Sequence, residues 1–367
     1  MGFEGLYTVE ELSFEADQLK AALMLNPDHW LFDVHFQNKP ILPGAVQVSI
    51  LNDLCSKALD RPCRITGITE AKFKVTIDPV KFSRLEADIS FQSLADGQSK
   101  VKGYFFVLDG GAKAQASSIT AHIGTDICFV VPFYNNPGTV RSVIELIQGS
   151  GYRVIAVNDG STDTVSLQEA ELAKPSALVS YAKNKGKGYA LRQGFKKALE
   201  LGFSYAVVFD ADGQHTLAGA EAMIDKALSL SPEERLRSII VGSRAKRGAD
   251  SGGKFANNFS NFWLKVQTGK KLSDTQSGLR LYPLEKISRM KFLGNRYEFE
   301  TEVLVKSAWN SVKLLEVPVD VIYPQDRVTH FRKGKDFTRI SLMNTYLTLG
   351  ALFYGYPKML LRKLFKG

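Results

Sequence analysis

The chain has 367 residues, of which 44% are hydrophobic and 23% charged, so two domains with their own cores are expected and long disorder is not. No basic stretch followed by an apolar core opens the sequence, which argues against a signal peptide. Three cysteines without paired spacing or nearby histidines predict a reduced, cytoplasmic protein that has neither disulfides nor a zinc site. They are Cys55, Cys63 and Cys128.

The net charge of +9 is unevenly distributed along the chain. Residues 1–123 hold 12 Lys+Arg against 15 Asp+Glu, a balance of −3, which leaves +12 for residues 124–367. From Arg327 onward, nine Lys+Arg accompany a single acid, Asp336. This surplus favours an anionic partner, such as a membrane surface or a phosphate-bearing lipid. Nucleic acid is not expected, because no recognisable binding module accompanies the charge.

In chain order, the first notable stretch is HFQNKPILPGAVQVSILNDLCSKAL, which begins at His35. It turns at Pro43 and Gly44 into a predicted helix that is apolar almost all round, and such a helix must be enclosed. Residues 72–122 then alternate apolar and polar positions between turn signals, which is typical of an antiparallel meander. The two patterns together predict an α+β hot-dog domain, a sheet wrapped around one long helix.

HFQNKPILPG and, more loosely, ITEAKFKVTIDP resemble the 3-hydroxyacyl-carrier-protein dehydratases and the dehydratase-like proteins of aryl polyene pathways. The resemblance covers about residues 5–122 and implies an acyl pocket. In it His35 would be the base, and the helix start at Gly44 would donate to the thioester carbonyl. Relatives carry Glu or Asp 14 residues after the histidine, where this chain has Ser49, a poor proton donor. Asp53, one helical turn further on the same face, is the alternative acid.

Two interpretations of this domain follow. In the first, it dehydrates a 3-hydroxyacyl chain bound to an acyl carrier protein. In the second, it is a non-catalytic module that dimerises the chain and docks the carrier, and His35 is kept for packing. Hot-dog relatives usually pair, so the resemblance implies a homodimer through this domain.

After AHIGTDICFVV the pattern changes to apolar runs that are each followed by a helical segment, which predicts an α/β domain with a mainly parallel sheet. Three of its predicted strands end in polar clusters, in PFYNN, NDGSTD and DADGQ. Because the carboxyl ends of parallel strands meet at one edge of a sheet, these clusters predict a ligand site there.

Asp210 and Asp212 follow one of these strands. Two carboxylates so close together repel each other unless a cation compensates, and Mg²⁺ or Mn²⁺ shares such ligands with a diphosphate. Asp159 is placed to accept from a ribose hydroxyl or a base N–H, and Pro132 and Tyr134 offer a wall for a nucleobase. The alternatives are a surface turn for the aspartate pair and an Asx-turn for Asp159.

Lys185 precedes a glycine-rich helix start in NKGKGYALRQG, which indicates either a phosphate contact or a basic turn. Taken in order, these motifs resemble the family 2 glycosyltransferases, in the branch of polyprenol-phosphate sugar transferases that includes dolichol-phosphate mannosyltransferase. The resemblance runs over about residues 126–325, through VVPFYNN, VNDGSTD, NKGKGYALRQG, FDADGQH, VGSRAKRG, SDTQSGLRLY, YEFETEVLVK and VPVDVIY.

The resemblance implies a GT-A fold and inverting, metal-dependent transfer from a nucleotide diphosphate sugar. Asp210 and Asp212 would hold the metal, and Asp274 and Gln276 would line the acceptor side. The donor would contact Pro132, Tyr134, Asn135, Asp159, Lys185, Gln214 and Arg244. Asn136 stands where many relatives carry Glu, so the choice between UDP and GDP stays open.

The acceptor class decides whether a base is needed. A lipid phosphate is already anionic and needs none, whereas a hydroxyl needs a carboxylate to accept its proton. Candidates for that role are Asp274 and the acids of YEFETE, whose alternative is a solvated helix surface. The fusion of the two domains suggests synthesis of a glycosylated acyl or aryl polyene lipid.

The basic stretch VTHFRKGKDF contributes His330, Arg332 and Lys333, which are predicted to contact the acceptor or a lipid headgroup. A basic tail in solution is the alternative. Residues 339–367 are apolar but interrupted, and shorter in their apolar window than the roughly 20 residues of a membrane span. They predict contact with the inner face of the cytoplasmic membrane. The predicted domains are therefore 1–123, 124–338 and this segment.

Overall fold

The structure is a computed structural model that describes residues 5–34, 39–59, 63–94, 98–109, 111–244, 251–322 and 333–364. The chain forms two compact units, residues 1–126 and residues 127–367. The predicted division at 123/124 lies inside the last strand of the first unit.

The first unit is a six-stranded antiparallel sheet in the order β1-β2-β4-β5-β6-β3. Its strands are β1 Tyr7–Glu15, β2 Gln18–Leu25, β3 Cys63–Phe73, β4 Arg84–Ser93, β5 Ser99–Asp109 and β6 Ala112–Thr125. Its helices are α1 Trp30–Val34 and α2 Gly44–Ala58. A single long helix on an antiparallel sheet confirms the predicted hot-dog architecture.

Helix α2 buries one face and exposes the other. Leu51 and its buried neighbours face the sheet, and Gly103 on β5 permits the approach, because a Cβ there would lie 2.7 Å from Leu51 Cδ1. Ala45 and Ser49 are exposed. The expectation of an enclosed helix is therefore wrong for this unit: one sheet covers one face, and the outward positions are small or polar.

The second unit is a seven-stranded sheet in the order β13-β11-β12-β10-β7-β8-β9. Its strands are β7 Ile127–Phe133, β8 Arg153–Asn158, β9 Ala177–Ser180, β10 Tyr205–Val208, β11 Ser238–Arg244, β12 Arg280–Pro283 and β13 Lys313–Val319. Of the strands that the structure describes in this sheet, only β12 runs antiparallel to its neighbours, β10 and β11. The predicted mainly parallel sheet is confirmed, and every residue of β7 is buried, as expected for a strand covered on both faces.

Ten helices and one π turn complete the described part of this unit. They are α3 Val140–Gly149, α4 Thr164–Leu172, α5 Lys187–Glu200, α6 Leu217–Leu228, α7 Pro232–Arg235, α8 Ser251–Thr268, α9 Leu284–Ser288, α10 Glu298–Trp309, α11 Lys333–Gly350, the π turn Ala351–Gly355 and α12 Tyr356–Leu364. One core cluster joins α5, α8, α10 and α11 to the sheet, and another joins α3 and α6 to it.

The predicted boundary at 338/339 falls inside α11, which packs on this unit. Met343, Leu347 and Ala351 are buried in the same cluster as Trp309. Among the described residues, no helix is both long and apolar enough to cross a membrane.

Replacing Leu51 by alanine tests the docking of α2 on its sheet. Leu51 is fully buried, so we expect Leu51→Ala to lower the free energy of unfolding of the first unit by about 2–5 kcal/mol, through lost apolar burial and the cavity it leaves. Urea unfolding measures this. Leu12→Ala on β1, where the side chain is 39% exposed, is the matched control and should cost under about 1 kcal/mol. Equal effects of the two substitutions would contradict the packing described.

Candidate active site

Three loops meet at the carboxyl edge of the second sheet, after β7, β8 and β10. The side-chain oxygen of Asn135 accepts from the backbone N–H of Thr162 at 2.8 Å, which ties the loop after β7 to the loop after β8. The hydroxyl of Thr139 donates to the carbonyl of Ala211 at 2.6 Å. Since Ala211 stands between the two aspartates of DAD, that bond fixes the turn that presents them.

Asp159 is buried, and its carboxylate organises the glycine-rich loop before α5. It accepts from the hydroxyl of Tyr181 (2.8 Å), the amide of Asn184 (2.9 Å) and the backbone N–H groups of Lys185 (2.9 Å) and Gly186 (2.8 Å). These four donors match the roughly four lone-pair sites of a carboxylate. The predicted contact of Asp159 with a nucleoside stays a prediction, and it requires one of these donors to be displaced.

Lys187 joins the first aspartate to helix α10. Its ammonium lies 2.8 Å from Asp210 Oδ1 and 3.0 Å from Glu300 Oε1, while His215 Nε2 lies 3.5 Å from Asp210 Oδ2. Burial lowers the pKa of Lys187, but the two carboxylates outweigh it and raise that pKa overall. Burial raises the pKa of Asp210, but Lys187 and His215 outweigh it and lower that pKa overall. Both groups therefore stay charged near neutral pH.

Asp212 lies in a different electrostatic environment. It accepts from the backbone N–H of Gln214 at 3.1 Å and from the Gln214 amide at 2.5 Å, and none of the ion pairs among the described residues includes it. Burial and the charge of Asp210 raise the pKa of Asp212. The cluster thus sets three carboxylates, those of Asp210, Glu300 and Asp212, against the single ammonium of Lys187, an excess of two carboxylates.

The residues at this edge fit a divalent cation that is held partly by its substrate. Asp210, Asp212 and the side-chain oxygen of Gln214 are the hard oxygen ligands that Mg²⁺ or Mn²⁺ accepts, and the double charge of one such ion would balance the two excess carboxylates. The described residues contain no group of three or more His, Cys, Asp or Glu that could hold a metal ion. A metal here would accordingly complete its ligands with phosphate or water.

Asp274 and Arg244, predicted for opposite sides of the cleft, form one salt bridge. Arg244 Nε lies 2.5 Å from Asp274 Oδ2, and Nη2 lies 2.8 Å from Oδ1. Asp274 is buried, whereas Gln276 is exposed and donates its backbone N–H to Asp274 at 3.3 Å. Both carboxylate oxygens of Asp274 are thus paired with a cation, which makes Asp274 a poor proton acceptor.

Arg280, which is not among the predicted site residues, holds the SDTQSG loop against α10. Its fully buried guanidinium donates to the carbonyls of Thr275 (2.9 Å), Ser277 (2.8 Å) and Glu300 (2.7 Å). The signal available in the sequence was an arginine inside the apolar run LRLYP, because a buried cation needs such partners.

Gly278 in the same loop passes directly over the first aspartate. A methyl group at that position would overlap the carboxylate of Asp210 and lie 3.0 Å from the Lys187 ammonium. The loop therefore needs glycine here because it passes so close to Asp210, and not because a turn requires a left-handed backbone.

The acids of YEFETE have three different roles. Glu298 accepts from the backbone N–H groups of Asn295 and Arg296 at the start of α10. Glu302 is fully buried and accepts from the backbone N–H of Leu293. Its Oε1 lies 2.6 Å from the ammonium of Lys306, one turn further along α10. Only Glu300 reaches the site. The alternative of a solvated helix surface is therefore wrong for Glu300 and Glu302.

In the first unit, the side chains of Ser49 and Asp53, which were predicted for the dehydratase-like site, are bonded to other groups of the same unit. The hydroxyl of Ser49 donates to the carbonyl of Ala45 at 3.2 Å. Asp53 accepts from the Tyr7 hydroxyl and lies 3.2 Å from the Lys57 ammonium.

The start of α2 is covered by an aromatic ring, because a Cβ at Gly44 would lie 2.7 Å from the ring of Phe73. His35, His330 and Arg332 lie outside the described residues, and Lys333 is described only as the first residue of α11.

The remaining predicted donor contacts lie around the same edge. Pro132 is buried in β7, and Tyr134 is half-buried just after it. The ammonium of Lys185 is exposed and lies 4.5 Å from the ring centre of Tyr189. The structure thus brings these residues to one edge of the sheet. The cluster there also contains four residues that were not predicted individually, Lys187, His215, Arg280 and Glu300.

Both units match families of known proteins. Residues 128–286 match the model of glycosyl transferase family 2, and residues 11–102 match the model described as ApeI dehydratase. The UDP-N-acetylglucosamine–dolichyl-phosphate N-acetylglucosaminyltransferase of Methanococcus voltae is 30% identical over 222 residues, which are 54% of this chain and 86% of that protein. The protein is a glycosyltransferase. It belongs to glycosyl transferase family 2 and carries an ApeI dehydratase-like domain before the transferase unit.

Two further proteins are similar at lower identity. The dolichyl-phosphate beta-glucosyltransferase of Saccharomyces cerevisiae is 23% identical over 219 residues, which are 52% of this chain and 65% of that protein. Among solved structures, glucosyl-3-phosphoglycerate synthase from Mycobacterium tuberculosis, with Mn²⁺, UDP and phosphoglyceric acid, has 18% identity and a TM-score of 0.48. It covers 61% of this chain and 78% of its own length.

The two aspartates of DAD should respond oppositely to neutralisation. Asp210→Asn leaves Lys187 with one carboxylate partner and should destabilise the protein by roughly 1–3 kcal/mol. Asp212 has a raised pKa when folded, so its ionised form opposes folding above that pKa; Asp212→Asn should leave the melting temperature unchanged or raise it. The difference between Asp212→Asn and wild type should vanish in acid, where Asp212 is protonated.

Thermal unfolding followed by circular dichroism in a chelating buffer, at neutral and acid pH, measures both effects. Asp210 has a lowered pKa, so its contribution is present above the unfolded value near ~4 and is lost as the pH falls. Equal destabilisation by both substitutions at neutral pH would contradict the charge distribution described.

Proposed function

We propose that the transferase unit moves a sugar from a nucleotide diphosphate sugar to a lipid-linked phosphate, with Mg²⁺ or Mn²⁺ as cofactor. The observation that carries this proposal is the anionic cluster at the sheet edge, where Asp212 lacks a cationic partner among the described ion pairs. The names of the relatives from Methanococcus and Saccharomyces, both acting on dolichyl phosphate, support the acceptor class. The former name also favours UDP over GDP, the two nucleotides that the sequence left open.

The charged side chains would have different roles in transfer. Asp210, Asp212 and Gln214 would hold the metal, which when bound supplies positive charge to the departing diphosphate. Lys187 keeps Asp210 ionised and in place, and its ammonium is a second cation at the same edge. Attack from the face opposite the departing group gives inversion at the anomeric carbon.

A phosphate acceptor suits the state of the nearby carboxylates. Asp274 is paired with Arg244, and Glu300 with Lys187, so both acids considered for a base role are bound to cations. A cation partner stabilises the ionised carboxylate and weakens it as a base. An anionic lipid phosphate needs no base and attacks directly. We place this reaction at the cytoplasmic face of a membrane, where such a lipid is accessible.

For the hot-dog unit, we propose a non-catalytic role that dimerises the chain and docks an acyl carrier protein. Three observations favour it over dehydration: the Ser49 hydroxyl is bonded to its own helix, Asp53 is paired with Tyr7 and Lys57, and the ring of Phe73 covers Gly44. A carrier-bound acyl chain would then be delivered to a pathway that makes a glycosylated acyl or aryl polyene lipid.

Sugar transfer to a polyprenyl phosphate is the direct test of the first proposal. Purified protein should transfer the sugar of a UDP- or GDP-sugar in the presence of Mn²⁺ or Mg²⁺, and a chelator should abolish the reaction. Asp212→Asn should lower kcat at least about 100-fold, as loss of a group that stabilises developing charge does, although the protein stays folded. Transfer that persists in chelator would contradict the assigned metal. Transfer only to an alcohol acceptor would contradict the phosphate acceptor.

Dehydration of a 3-hydroxyacyl thioester tests the second proposal. Wild type and His35→Ala should be indistinguishable from background, because Ser49 stands where the acid is expected and Asp53 is paired with Lys57. Pull-down of the loaded carrier protein should succeed with both. Turnover by wild type that disappears with His35→Ala or Asp53→Ala would instead establish a working dehydratase.

A further inference from the structure

The segment 333–364 carries an apolar surface that its own unit does not cover. Of the 25 large hydrophobic side chains that are exposed among the described residues, ten lie in these 32 residues. Six of them form what we call the apolar face. They are Leu342, Tyr346, Leu349, Leu352, Phe353 and Tyr354. Such a concentration marks an interaction surface, unlike single exposed residues scattered over a protein.

Helix α11 and the π turn that continues it have two apolar sides. The inner side is buried in the core beside Trp309 and contains Met343, Leu347 and Ala351. The outer stripe has the spacing i, i+4, i+7 and i+11, which places it on the opposite side of the helix. It consists of Leu342, Tyr346, Leu349 and Phe353, which are 66%, 46%, 53% and 82% exposed. The inner side suffices to hold the helix, so the outer stripe needs another explanation.

The π turn brings the apolar face to its most exposed point. Gly350 and Gly355 close on Trp309 at either end of the turn, and a Cβ at Gly350 would lie 2.9 Å from the Trp309 ring. The indole N–H of Trp309 donates to the carbonyl of Gln267 at 2.8 Å, which fixes the ring. Three consecutive large side chains, at 352–354, are exposed in this turn, an arrangement that water disfavours unless a partner covers it.

Positive charges lie on the helix that carries the apolar face and on a helix that adjoins it. Helix α8 adjoins it, because the Tyr356 hydroxyl donates to the Val266 carbonyl at 2.5 Å, and Phe262 and Val266 are also exposed. Exposed cations lie on or just after α8 and on the first turns of α11. They are Lys265, Lys270, Lys271, Lys335 and Arg339. An apolar stripe flanked by Lys and Arg matches the interface of an anionic bilayer, where apolar side chains enter the acyl region and cations meet phosphates.

We propose that the apolar face docks the transferase unit on an anionic lipid bilayer, with Leu352, Phe353 and Tyr354 at the deepest point. This inference rests on the proposed transfer to a lipid-linked phosphate and names the surface that presents the site to that acceptor. Two apolar groups and a tyrosine suit the boundary between acyl chains and headgroups, since a tyrosine keeps its hydroxyl in the wet layer.

The start of α11 lies near the active site, which links the apolar face to the reaction. Asp336, in the first turn of α11, is buried, and the ring of Phe337 lies 6.0 Å from that of Phe259 on α8. The pKa of Tyr297 is raised to about 12 by burial, against the opposing charge of Lys187, with smaller contributions from the acids around it, including Asp336. Charges of the site and the buried Asp336 of α11 thus both act on Tyr297, the residue just before α10.

Flotation with lipid vesicles tests the proposal on the full-length protein. Wild type should float with vesicles of phosphatidylcholine and phosphatidylglycerol, and less with phosphatidylcholine alone. The triple variant Leu349→Ser, Leu352→Ser, Phe353→Ser should bind roughly tenfold or more weakly, because three apolar side chains no longer leave water. The matched control is Leu146→Ser, Val165→Ser, Leu172→Ser, at comparably exposed positions on α3 and α4, and it should bind like wild type.

A fluorescence variant keeps the test decisive if the triple variant fails to fold. Phe353→Trp should show a blue shift in its added emission on addition of the anionic vesicles, and no shift would overturn the proposal. So would equal flotation of the triple variant and wild type. A triple variant that floats normally but changes from dimer to monomer would assign the apolar face to a second copy of the chain.

The assay separates this inference from the proposed function. Vesicle binding is measured without donor or acceptor, so the result of the binding assay does not depend on whether transfer occurs. The triple variant should transfer sugar to a short-chain, water-soluble polyprenyl phosphate like wild type, and lose rate only with acceptor embedded in vesicles. Absence of transfer by wild type in both formats, with flotation intact, would overturn the proposed function and leave the docking surface in place.

Discussion

The ammonium of Lys187 is the contact on which the architecture of the site depends. It stands at the first residue of α5 and bridges Asp210, at the end of β10, to Glu300, in the first turn of α10. Three elements distant in sequence are thereby held at one point. A buried lysine is stable there only because two carboxylates face it, and those carboxylates tolerate burial only because the lysine is charged.

That arrangement leaves the neighbouring aspartate without a similar partner. Asp210 is paired with Lys187 within the chain, whereas Asp212 accepts hydrogen bonds from Gln214 and has no cation partner among the described ion pairs. The site thus combines a fixed, internally compensated part with an uncompensated carboxylate beside it. Arg280 and Gly278 stabilise the same division from the loop above, since one binds the loop carbonyls and the other lets the loop pass close to Asp210. A polar site with this much internal pairing is held rigid before any ligand arrives.

The sequence predicted the elements better than it predicted the partners. Hydrophobic periodicity indicated both sheets, because alternation and apolar runs reflect local burial. The destination of each charged side chain depends on tertiary contacts, so Asp274 and Arg244 were assigned to separate roles although they form one salt bridge. Glu300 is one of three similar acids within six residues of sequence. The orientation of α10 in the fold decides that Glu300 faces Lys187 whereas Glu302 faces the backbone of Leu293.

Ser49 is a second example of a side chain whose contacts the sequence did not predict. Its motif predicted a missing acid, but not that the serine lies on the exposed face of α2 with its hydroxyl bonded to its own helix.

Helix α11 shows how one segment can serve stability and recognition without conflict. Its inner side packs on Trp309, and the amide of Gln267 donates to the Asn344 carbonyl at 3.0 Å, a polar contact that fixes the helix against α8. Because the inner side already secures the helix, substitutions on the outer side change little in the core. The apolar face is consequently free to contact a partner surface, and α11, which carries it, packs on α10, the helix whose first turn holds Glu300 against Lys187.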